Sequence, residues 1–235
     1  MENKTIAAQA TAPGRSALSL IRLSGPGTTA IIKSCFTRPD GFAKIFDNPG
    51  KLFKGTISFN GSAIDNAVCV FFKGPFSYTG EDLAEITCHG NPLIVRQILE
   101  SFIALGARAA EPGEFTKRAF LNGKMDLSAA EAVNDIINAA GSHALKIALA
   151  QLNGNEQKAV ENLRHELLRA LALIESNLDF PEETEDTAAA PEAVRTLKKT
   201  AALISAIIKN AEAASFYTAG ARAVIIGCLL YTSPS

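Results

Sequence analysis

The chain has 235 residues, of which 47% are apolar and 20% are charged, and its net charge is −1. This composition is typical of a folded globular protein and excludes a disordered or low-complexity chain. The balanced charge argues against a general polyanion binder, and no apolar run reaches the roughly 18 residues of a membrane span. The N-terminal sequence MENKTIAAQATAPGRS lacks the apolar segment of a secretory signal. We therefore expect a cytoplasmic protein without a membrane anchor.

The composition changes along the chain. Residues 1–121 hold 11 of the 13 Phe and 12 of the 17 Gly, with 13 basic and 10 acidic residues. Residues 122–235 hold 10 basic and 14 acidic residues and are rich in Ala, Leu and Glu. Aromatic residues and glycines suit strands and turns, whereas Ala, Leu and Glu favour helices. The predicted fold class is an α+β domain followed by an all-α segment.

Apolar patterning places the elements of the first half. Strands are predicted at Ala17–Leu23, Leu52–Phe59, Ala63–Phe72, Leu83–His89 and Arg108–Ala110. Helices are predicted at Thr28–Cys35 and Pro92–Leu105, and Gly106 fits the end of the second helix. Asn60 and Gly61 lie between two predicted strands and indicate a tight hairpin.

The second half predicts three long helices. The first begins at a capping box formed by Ser128 and Glu131, and its apolar stripe continues to Leu152. Gly154 separates it from the second helix, and Pro191 suits the first turn of the third. Apolar stripes need a packing partner, so we expect these helices to expose apolar faces.

Three further features of the chain concern loops, a last strand and thiols. The acidic run at 179–186 is interpreted as a solvated loop, and Ala221–Gly227 as a buried strand. Four scattered cysteines form no CxxC pair, which argues against a metal site. Cys35 and Cys69 are interpreted as small buried apolar residues.

Four segments place polar residues among turn-forming ones: PGR at 13–15, IRLSG at 21–25, YTGEDLAEITCHG at 78–90 and EPGEFTKRAFLNGKMDL at 111–127. None is a general catalytic signature, since HExxH, GxGxxG and a defensible Ser/His/Asp order are all lacking. Together with the LDFPEE turn they resemble the MnmE (TrmE) family of tRNA modification GTPases, over roughly residues 4–227.

The resemblance implies a domain organisation. Residues 1–121 would form an aminomethyltransferase-like α+β domain that binds tetrahydrofolate and dimerises, and 122–219 the first half of a helical domain. Residues 220–227 would be the first strand of a Ras-like α/β GTPase domain, and 228–235 depart from the family and are interpreted as a non-native tail at a truncation. Gly227 would be the first glycine of the nucleotide-binding Walker A loop. No Gly-Lys-Ser/Thr follows it, so we expect no GTP hydrolysis by this chain.

The resemblance also implies a reaction for the whole enzyme. With the flavoprotein MnmG (GidA), the family adds an aminomethyl-type group to C5 of the wobble uridine of tRNA. A 5-formyl or 5,10-methylene tetrahydrofolate would carry the one-carbon unit, and GTP hydrolysis with Mg²⁺ and K⁺ would drive domain movement. Two alternatives stay open: a stand-alone folate-binding protein, and a non-catalytic dimerisation scaffold.

The resemblance assigns three residues to the folate. Arg22 lies in an apolar strand, where its guanidinium can clamp a carboxylate or carbonyl oxygen. Glu85 lies in a strand-like run, and a carboxylate can accept two adjacent N–H groups of a pterin ring. Lys124 follows Gly123 and could meet a glutamyl carboxylate or a ring oxygen. Secondary candidates are Arg15, His89 and Arg118.

The secondary candidates also have interpretations in which they are structural and contact no ligand. His89 is interpreted as a structural histidine at a strand end, and Arg118 as part of a polar helical turn with Glu114 and Lys117. Asn91 stands where the family commonly has glycine, and Asn would tolerate a positive φ there if the backbone required one.

Overall fold

The computed structural model of the chain describes residues 4–38, 43–179 and 189–219, together with Val224 and Ile226. The chain divides into two compact units, Met1–Ala130 and Glu131–Ser235. The first contains a mixed sheet with helices, and the described part of the second is helical. This observation confirms the predicted fold class of an α+β unit followed by helices.

A seven-stranded sheet forms the first unit. Its strands are β1 (Ile6–Gln9), β2 (Leu18–Ser24), β3 (Phe36–Thr37), β4 (Leu52–Phe59), β5 (Ser62–Phe72), β6 (Leu83–His89) and β7 (Arg108–Ala109). The spatial order is β3-β4-β5-β6-β2-β1-β7, and every neighbouring pair is antiparallel except β1 and β7. The central strands are therefore β6 and β2, which lie far apart in sequence.

The strands predicted in the first half of the chain are confirmed, with shifts of one residue at some ends. Asn60 and Gly61 have φ values of 52° and 78°, the left-handed pair that a two-residue hairpin turn requires. The sequence pattern does not predict β1, whose sequence Ile-Ala-Ala-Gln contains one β-branched residue and no aromatic residue. Pairing with β2 and β7 places this segment in the sheet.

Eight helices accompany the sheet among the described residues. They are α1 (Thr28–Cys35), α2 (Ala43–Asp47), α3 (Pro92–Ala104), α4 (Glu114–Leu121), α5 (Leu127–Asn138), α6 (Ser142–Leu152), α7 (Asn155–Asp179) and α8 (Ala189–Ala219). Helices α1 and α3 cover one face of the sheet and bury its core. The largest fully buried core side chains include Ile21, Leu23, Ile32, Phe36, Ile57, Ile86, Ile98 and Phe102.

Helix α3 shows how local chemistry sets helix ends. The side chain of Asn91 caps the helix by accepting the N–H of Leu93 at 2.9 Å, and Pro92 occupies the first turn. Asn91 has φ −96°, so the backbone at this position does not require a positive φ. Gly106 follows the helix with φ +104°, which confirms the predicted stop.

The first predicted long helix is wrong in two respects. It is two helices, α5 and α6, because the backbone at Gly141 is extended with φ −151° and ψ 161°. The hydrogen bond at its start comes from Asp126, whose carboxylate accepts the N–H of Ala129 at 2.6 Å, and not from a Ser128 capping box. Aspartate is as good a cap as serine, so the helix begins at Leu127.

The described helices of the second unit pack through small residues. Ala148, Ala170, Ala193 and Thr200 are buried, and α7 and α8 form the largest contact. Larger apolar side chains of the predicted stripes remain substantially exposed: Leu149, Val160, Leu168, Leu171, Val194, Leu197, Ile204 and Ile208. The expectation of exposed apolar helix faces is confirmed for these residues.

Several predictions concern the end of the chain or fall outside the described residues. Val224 and Ile226 are 80% and 92% exposed and do not lie in a strand, so the predicted buried strand is wrong at these positions. A strand needs a paired neighbour, and neither residue pairs with the described sheet. The acidic run from 180 onward, Gly227 and the segment 228–235 lie outside the described residues.

The described cysteines are buried free thiols. Cys35 and Cys69 are at most 1% exposed, as predicted, and burial raises the pKa of each to about 12. These thiols stay protonated at neutral pH and pack as small apolar groups. No helix in the described part of the chain combines the length and apolarity needed to cross a membrane.

Candidate functional site

Two of the predicted site residues form an ion pair at the centre of the sheet. Arg22 on β2 lies directly opposite Glu85 on β6. The Nε and Nη2 atoms of Arg22 donate to Oε1 of Glu85 at 2.9 and 2.6 Å. Because neighbouring residues of each strand point into the core, this pair lies on the face opposite α1 and α3. The two side chains are 23% and 22% exposed, which leaves them accessible to a ligand.

Two aromatic rings flank this ion pair. The Cζ atom of Arg22 lies 5.0 Å from the ring centroid of Tyr78 and 5.6 Å from that of Phe115, within cation–π range. Tyr78 belongs to the loop between β5 and β6, and Phe115 belongs to α4. The hydroxyls of Tyr78 and Thr116 lie 2.9 Å apart and tie the loop to the helix.

Neither aromatic residue is among the candidates that the sequence predicts. Tyr78 opens the motif that contains Glu85, and Phe115 lies in the motif that contains Lys124. The signal in the sequence is that each motif carries an aromatic residue near its polar candidates. Only the three-dimensional arrangement shows that both rings meet Arg22.

Arg118 belongs to a buried polar network that supports α4. Its guanidinium donates to Glu81 at 2.9 Å, to Glu114 at 3.2 Å and to the carbonyl of Lys4 at 2.8 Å. The hydroxyl of Ser24 donates to the same Oε2 atom of Glu81 at 2.8 Å. The predicted local pair between Arg118 and Glu114 is confirmed, and the network joins the helix to the sheet and to the β5–β6 loop.

Glu114 is the most strongly held carboxylate of this network. Arg108 donates to its two oxygens at 2.8 and 2.5 Å, and the backbone N–H of Glu111 donates to Oε2 at 2.8 Å. The pairing with Arg108 lowers the pKa of Glu114 to about 2, against an opposing contribution from burial. Glu114 is therefore ionised throughout the neutral range and acts as a structural anchor.

Lys124 lies beside the site without joining the ion pair. Its Nζ donates to the carbonyl of Pro75 at 2.9 Å, in the loop that carries Tyr78. Its side-chain stem lies next to Gly80, which has φ +78°. No hydrogen bond within the described residues joins Lys124 to Arg22 or Glu85. Lys124 is exposed and would have to leave the carbonyl of Pro75 to reach a ligand.

His89 is held by a carboxylate that the sequence analysis does not predict. Its Nδ1 lies 2.7 Å from Oδ1 of Asp65, and its backbone N–H donates to Oδ2 at 2.8 Å. The imidazole is 64% exposed, whereas the Asp65 side chain is 9% exposed. The adjacent Gly90 packs so closely on Ser16 that an added Cβ would overlap the carbonyl of that residue.

The remaining secondary candidate, Arg15, is exposed in the loop between β1 and β2. The structure does not bring it to the ion pair through any hydrogen bond in the described ranges. The described residues also contain no group of three or more His, Cys, Asp and Glu side chains that could hold a metal ion.

The site has the chemistry to bind a flat, polar ring. Within the described part of the chain, both hydrogen bonds to Glu85 fall on Oε1, so Oε2 can accept from a ligand. Tyr78 and Phe115 offer aromatic surfaces beside the charged groups. A heteroaromatic ligand with N–H donors and carbonyl acceptors would satisfy these groups.

Two family models match the chain in succession. The model described as GTP-binding protein TrmE N-terminus matches residues 5–124, and the model described as MnmE helical domain matches residues 127–223. The first match includes Arg22, Tyr78, Glu85 and Phe115, so the site lies wholly within it.

Three curated relatives named tRNA modification GTPase MnmE match nearly the whole chain. The protein of Thermotoga maritima is 46% identical over 224 residues, covering 95% of this chain and 48% of the relative. That of Aquifex aeolicus is 40% identical over 222 residues, covering 94% and 49%. That of Thermus thermophilus is 40% identical over 229 residues, covering 94% and 50%. The chain spans about half the length of the curated relatives it matches.

Proposed function

Because the chain belongs to the MnmE (TrmE) family of tRNA modification GTPases, of which it carries the N-terminal and helical regions, we propose that its Arg22–Glu85 site binds a tetrahydrofolate derivative. The observation that carries this proposal is the half-buried ion pair flanked by two aromatic rings. A pterin ring is planar and presents adjacent N–H donors, which Glu85 Oε2 can accept. Arg22 can donate to a ring carbonyl while it keeps its bond to Glu85.

The roles of the individual residues follow from their chemistry. Tyr78 and Phe115 stack near the ring and exclude water from it, which strengthens the polar contacts. Lys124 is the secondary cation, released from the carbonyl of Pro75 when a ligand anion replaces it. The bound 5-formyl or 5,10-methylene tetrahydrofolate supplies a one-carbon unit, and the protein binds and orients it.

The activity of the whole protein is part of the same proposal. The complete enzyme, as a homodimer with the flavoprotein MnmG (GidA), adds an aminomethyl-type group to C5 of the wobble uridine of tRNA in the cytoplasm. The relatives' name, tRNA modification GTPase, supports tRNA and GTP as its substrates. In this assignment residues 1–121 bind folate and dimerise, 122–219 form half of the helical domain, and 220–227 begin the GTPase domain. The segment 228–235 is assigned no role.

GTP hydrolysis is not expected from this chain. A phosphate-binding loop uses a lysine for the β- and γ-phosphates and a hydroxyl for Mg²⁺. The sequence after Gly227 is CLLYTSPS, which contains no lysine. Phosphate release from GTP, measured with Mg²⁺ and K⁺ present, should equal the buffer background. Release above that background would contradict this prediction.

Folate titration tests the proposed site. We expect Arg22→Ala and Glu85→Ala each to weaken the binding of 5-formyl-tetrahydrofolate by roughly 1–3 kcal/mol, the cost of a lost charged hydrogen bond. Calorimetric titration gives the Kd of each variant, and circular dichroism verifies that it is folded.

Arg96→Ala is the matched control, because Arg96 lies on the exposed surface of α3 and forms an i,i+4 ion pair with Glu100. Its affinity should equal that of the wild type. Unchanged affinity in both site variants would refute the site. Absence of binding to the folded wild-type protein would favour the dimerisation scaffold.

A further inference from the structure

A strip of paired residues leads away from the proposed folate site along the open face of the sheet. On β2 and β6, Arg22 pairs with Glu85, Leu20 with Thr87, and Leu18 with His89. We call these three rows the open strip. Alternate residues of a strand lie about 6.6–6.8 Å apart, so the first and third rows are separated by about 13 Å.

The two ends of the open strip differ. Beyond Arg22, the next residues on this face are Ser24 and Leu83, which are at most 1% exposed, and Ser24 is bonded to the buried Thr79. At the other end Leu18 is 59% exposed and the His89 side chain 64%. Along the strands, the exposed surface next to Arg22 and Glu85 therefore lies on the side of His89.

Three nitrogen-bearing side chains lie around a cavity of about 150 Å³ beside the middle and open rows of the strip. Lys54 on β4 pairs with Val68, which in turn pairs with Thr87, so Lys54 lies in the same row of the sheet as the middle of the open strip. The lining includes Leu18, Asn66, Val68, Thr87 and His89 as well as Lys54. The cavity suits an anionic group at the end of an apolar linker, because it combines apolar side chains with three polar groups. These are the ammonium of Lys54, the carboxamide of Asn66 and the imidazole of His89.

Asp65 fixes the imidazole at this end. Both of its oxygens are engaged by His89, one by the backbone N–H and one by Nδ1. Because Nδ1 is engaged by Asp65, Nε2 is the ring nitrogen left to face a ligand. The ring is thus oriented by a side chain that is itself only 9% exposed.

We propose that Lys54 and His89 form the subsite for the carboxylate tail of the folate ligand. This inference rests on the proposed function. It places the pterin ring at Arg22 and Glu85, the aminobenzoyl linker over Leu20 and Thr87, and the glutamyl carboxylates at Lys54. Lys54 lies two strands across and one row along from Glu85, about 9.6 Å and about 6.7 Å, so their Cα atoms are about 12 Å apart, which is on the order of that linker with its flanking bonds. Lys54 forms the ion pair with the ligand carboxylate. The imidazole of His89, held in place by Asp65, bounds the subsite on one side.

Two ligands separate the subsite from the ring site. Lys54→Gln should weaken the binding of 5-formyl-tetrahydrofolate about fivefold at low salt, as expected for a solvent-accessible ionic contact. His89→Gln, which removes the ring beside that contact, should weaken the binding as well. Neither substitution should change the affinity for 6-methyltetrahydropterin, which lacks the tail. This affinity is measured by the displacement of bound 5-formyl-tetrahydrofolate. Lys33→Gln is the matched control, because Lys33 is an exposed lysine on α1, which packs on the opposite face.

The outcomes distinguish this inference from the proposed function. If Arg22→Ala weakens both ligands while Lys54→Gln and His89→Gln change neither, the tail subsite is refuted and the ring site stands. Equal weakening of both ligands by Lys54→Gln also refutes the subsite, as does a change of oligomeric state without a change of affinity. If Arg22→Ala and Glu85→Ala are both without effect, the proposed function itself fails.

Discussion

At the scale of single residues, the candidate site depends on charges that are held by other charges. Arg22 and Glu85 are half-buried, so removing one partner leaves the other charge poorly solvated. A second charged network is more deeply buried and holds α4, and with it the ring of Phe115, in place. It consists of Glu81, Glu114 and Arg118. The residues proposed to contact a ligand are few, and a larger set of charged residues holds the elements around them in place.

Glu114→Gln tests the structural role of this network. Pairing with Arg108 holds the pKa of Glu114 at about 2, below its ordinary value of 4.5. Its carboxylate therefore stabilises the folded state above about pH 4.5 and loses this contribution as the pH falls toward 2. We expect Glu114→Gln to lower the free energy of unfolding at pH 7 by about 2 kcal/mol. Urea denaturation at pH 7 and pH 3 should show a smaller difference from wild type at pH 3.

Glu100→Gln is the control for this prediction, because Glu100 pairs with Arg96 on the exposed surface of α3. It should leave the stability nearly unchanged at both pH values. A Glu114 variant as stable as this control would contradict the structural role, and so would a difference that grows as the pH falls.

At the scale of elements, the site depends on the register between β2 and β6. One end of this strand pair is joined by the bonds from Ser16 N–H to the Gly90 carbonyl at 3.0 Å and from Gly90 N–H to the Ala17 carbonyl at 3.2 Å. Glycine is required because the backbone of Ser16 occupies the space that a Cβ would fill. This close approach explains the glycine that follows His89 in the motif.

Gly90→Ala is expected to lower the free energy of unfolding by about 1–3 kcal/mol, because the backbone of Ser16 must shift to accommodate the methyl group. Thermal and urea unfolding of the whole chain measure the loss. Gly141→Ala is the matched control, since Gly141 has an extended backbone and open space, with no neighbouring atom within 4 Å, where the methyl group would lie. Equal stabilities of the two variants would show that the strand ends are not tightly packed.

At the scale of the whole molecule, the two units differ in how completely they bury apolar surface. The sheet unit has a continuous core beneath α1 and α3. The helical unit is packed mainly through small residues, and Leu168 and Leu171 of α7 are 50% and 48% exposed. Exposed apolar surface on this scale favours self-association.

We therefore expect the purified chain to bind the dye ANS and to self-associate as its concentration rises. Leu168→Glu and Leu171→Glu should reduce both dye fluorescence and association without loss of helical circular dichroism, because the added charges interrupt the apolar face. Sedimentation velocity measures the association. A wild-type chain that is monodisperse and does not bind the dye would contradict this prediction.

Much of the first unit is predictable because its signals are local. Alternation over Leu52–Phe59 and Leu83–His89 and the Asn60-Gly61 turn depend on neighbouring residues only. Strand β1 is not predictable in this way, because its position depends on partners distant in sequence. Gly141 splits a predicted helix because a single extended residue interrupts an otherwise continuous apolar stripe.

The sequence by itself determined the fold class, the motifs with their family resemblance, and Arg22 and Glu85 as candidates. The tertiary structure decided that these two residues form one ion pair, that Tyr78 and Phe115 flank it, and that Lys124 stands apart at the carbonyl of Pro75. The physical reason is that strand pairing joins segments separated by many residues. Chemical type is a local property of the chain, whereas distance between side chains exists only after the sheet has formed.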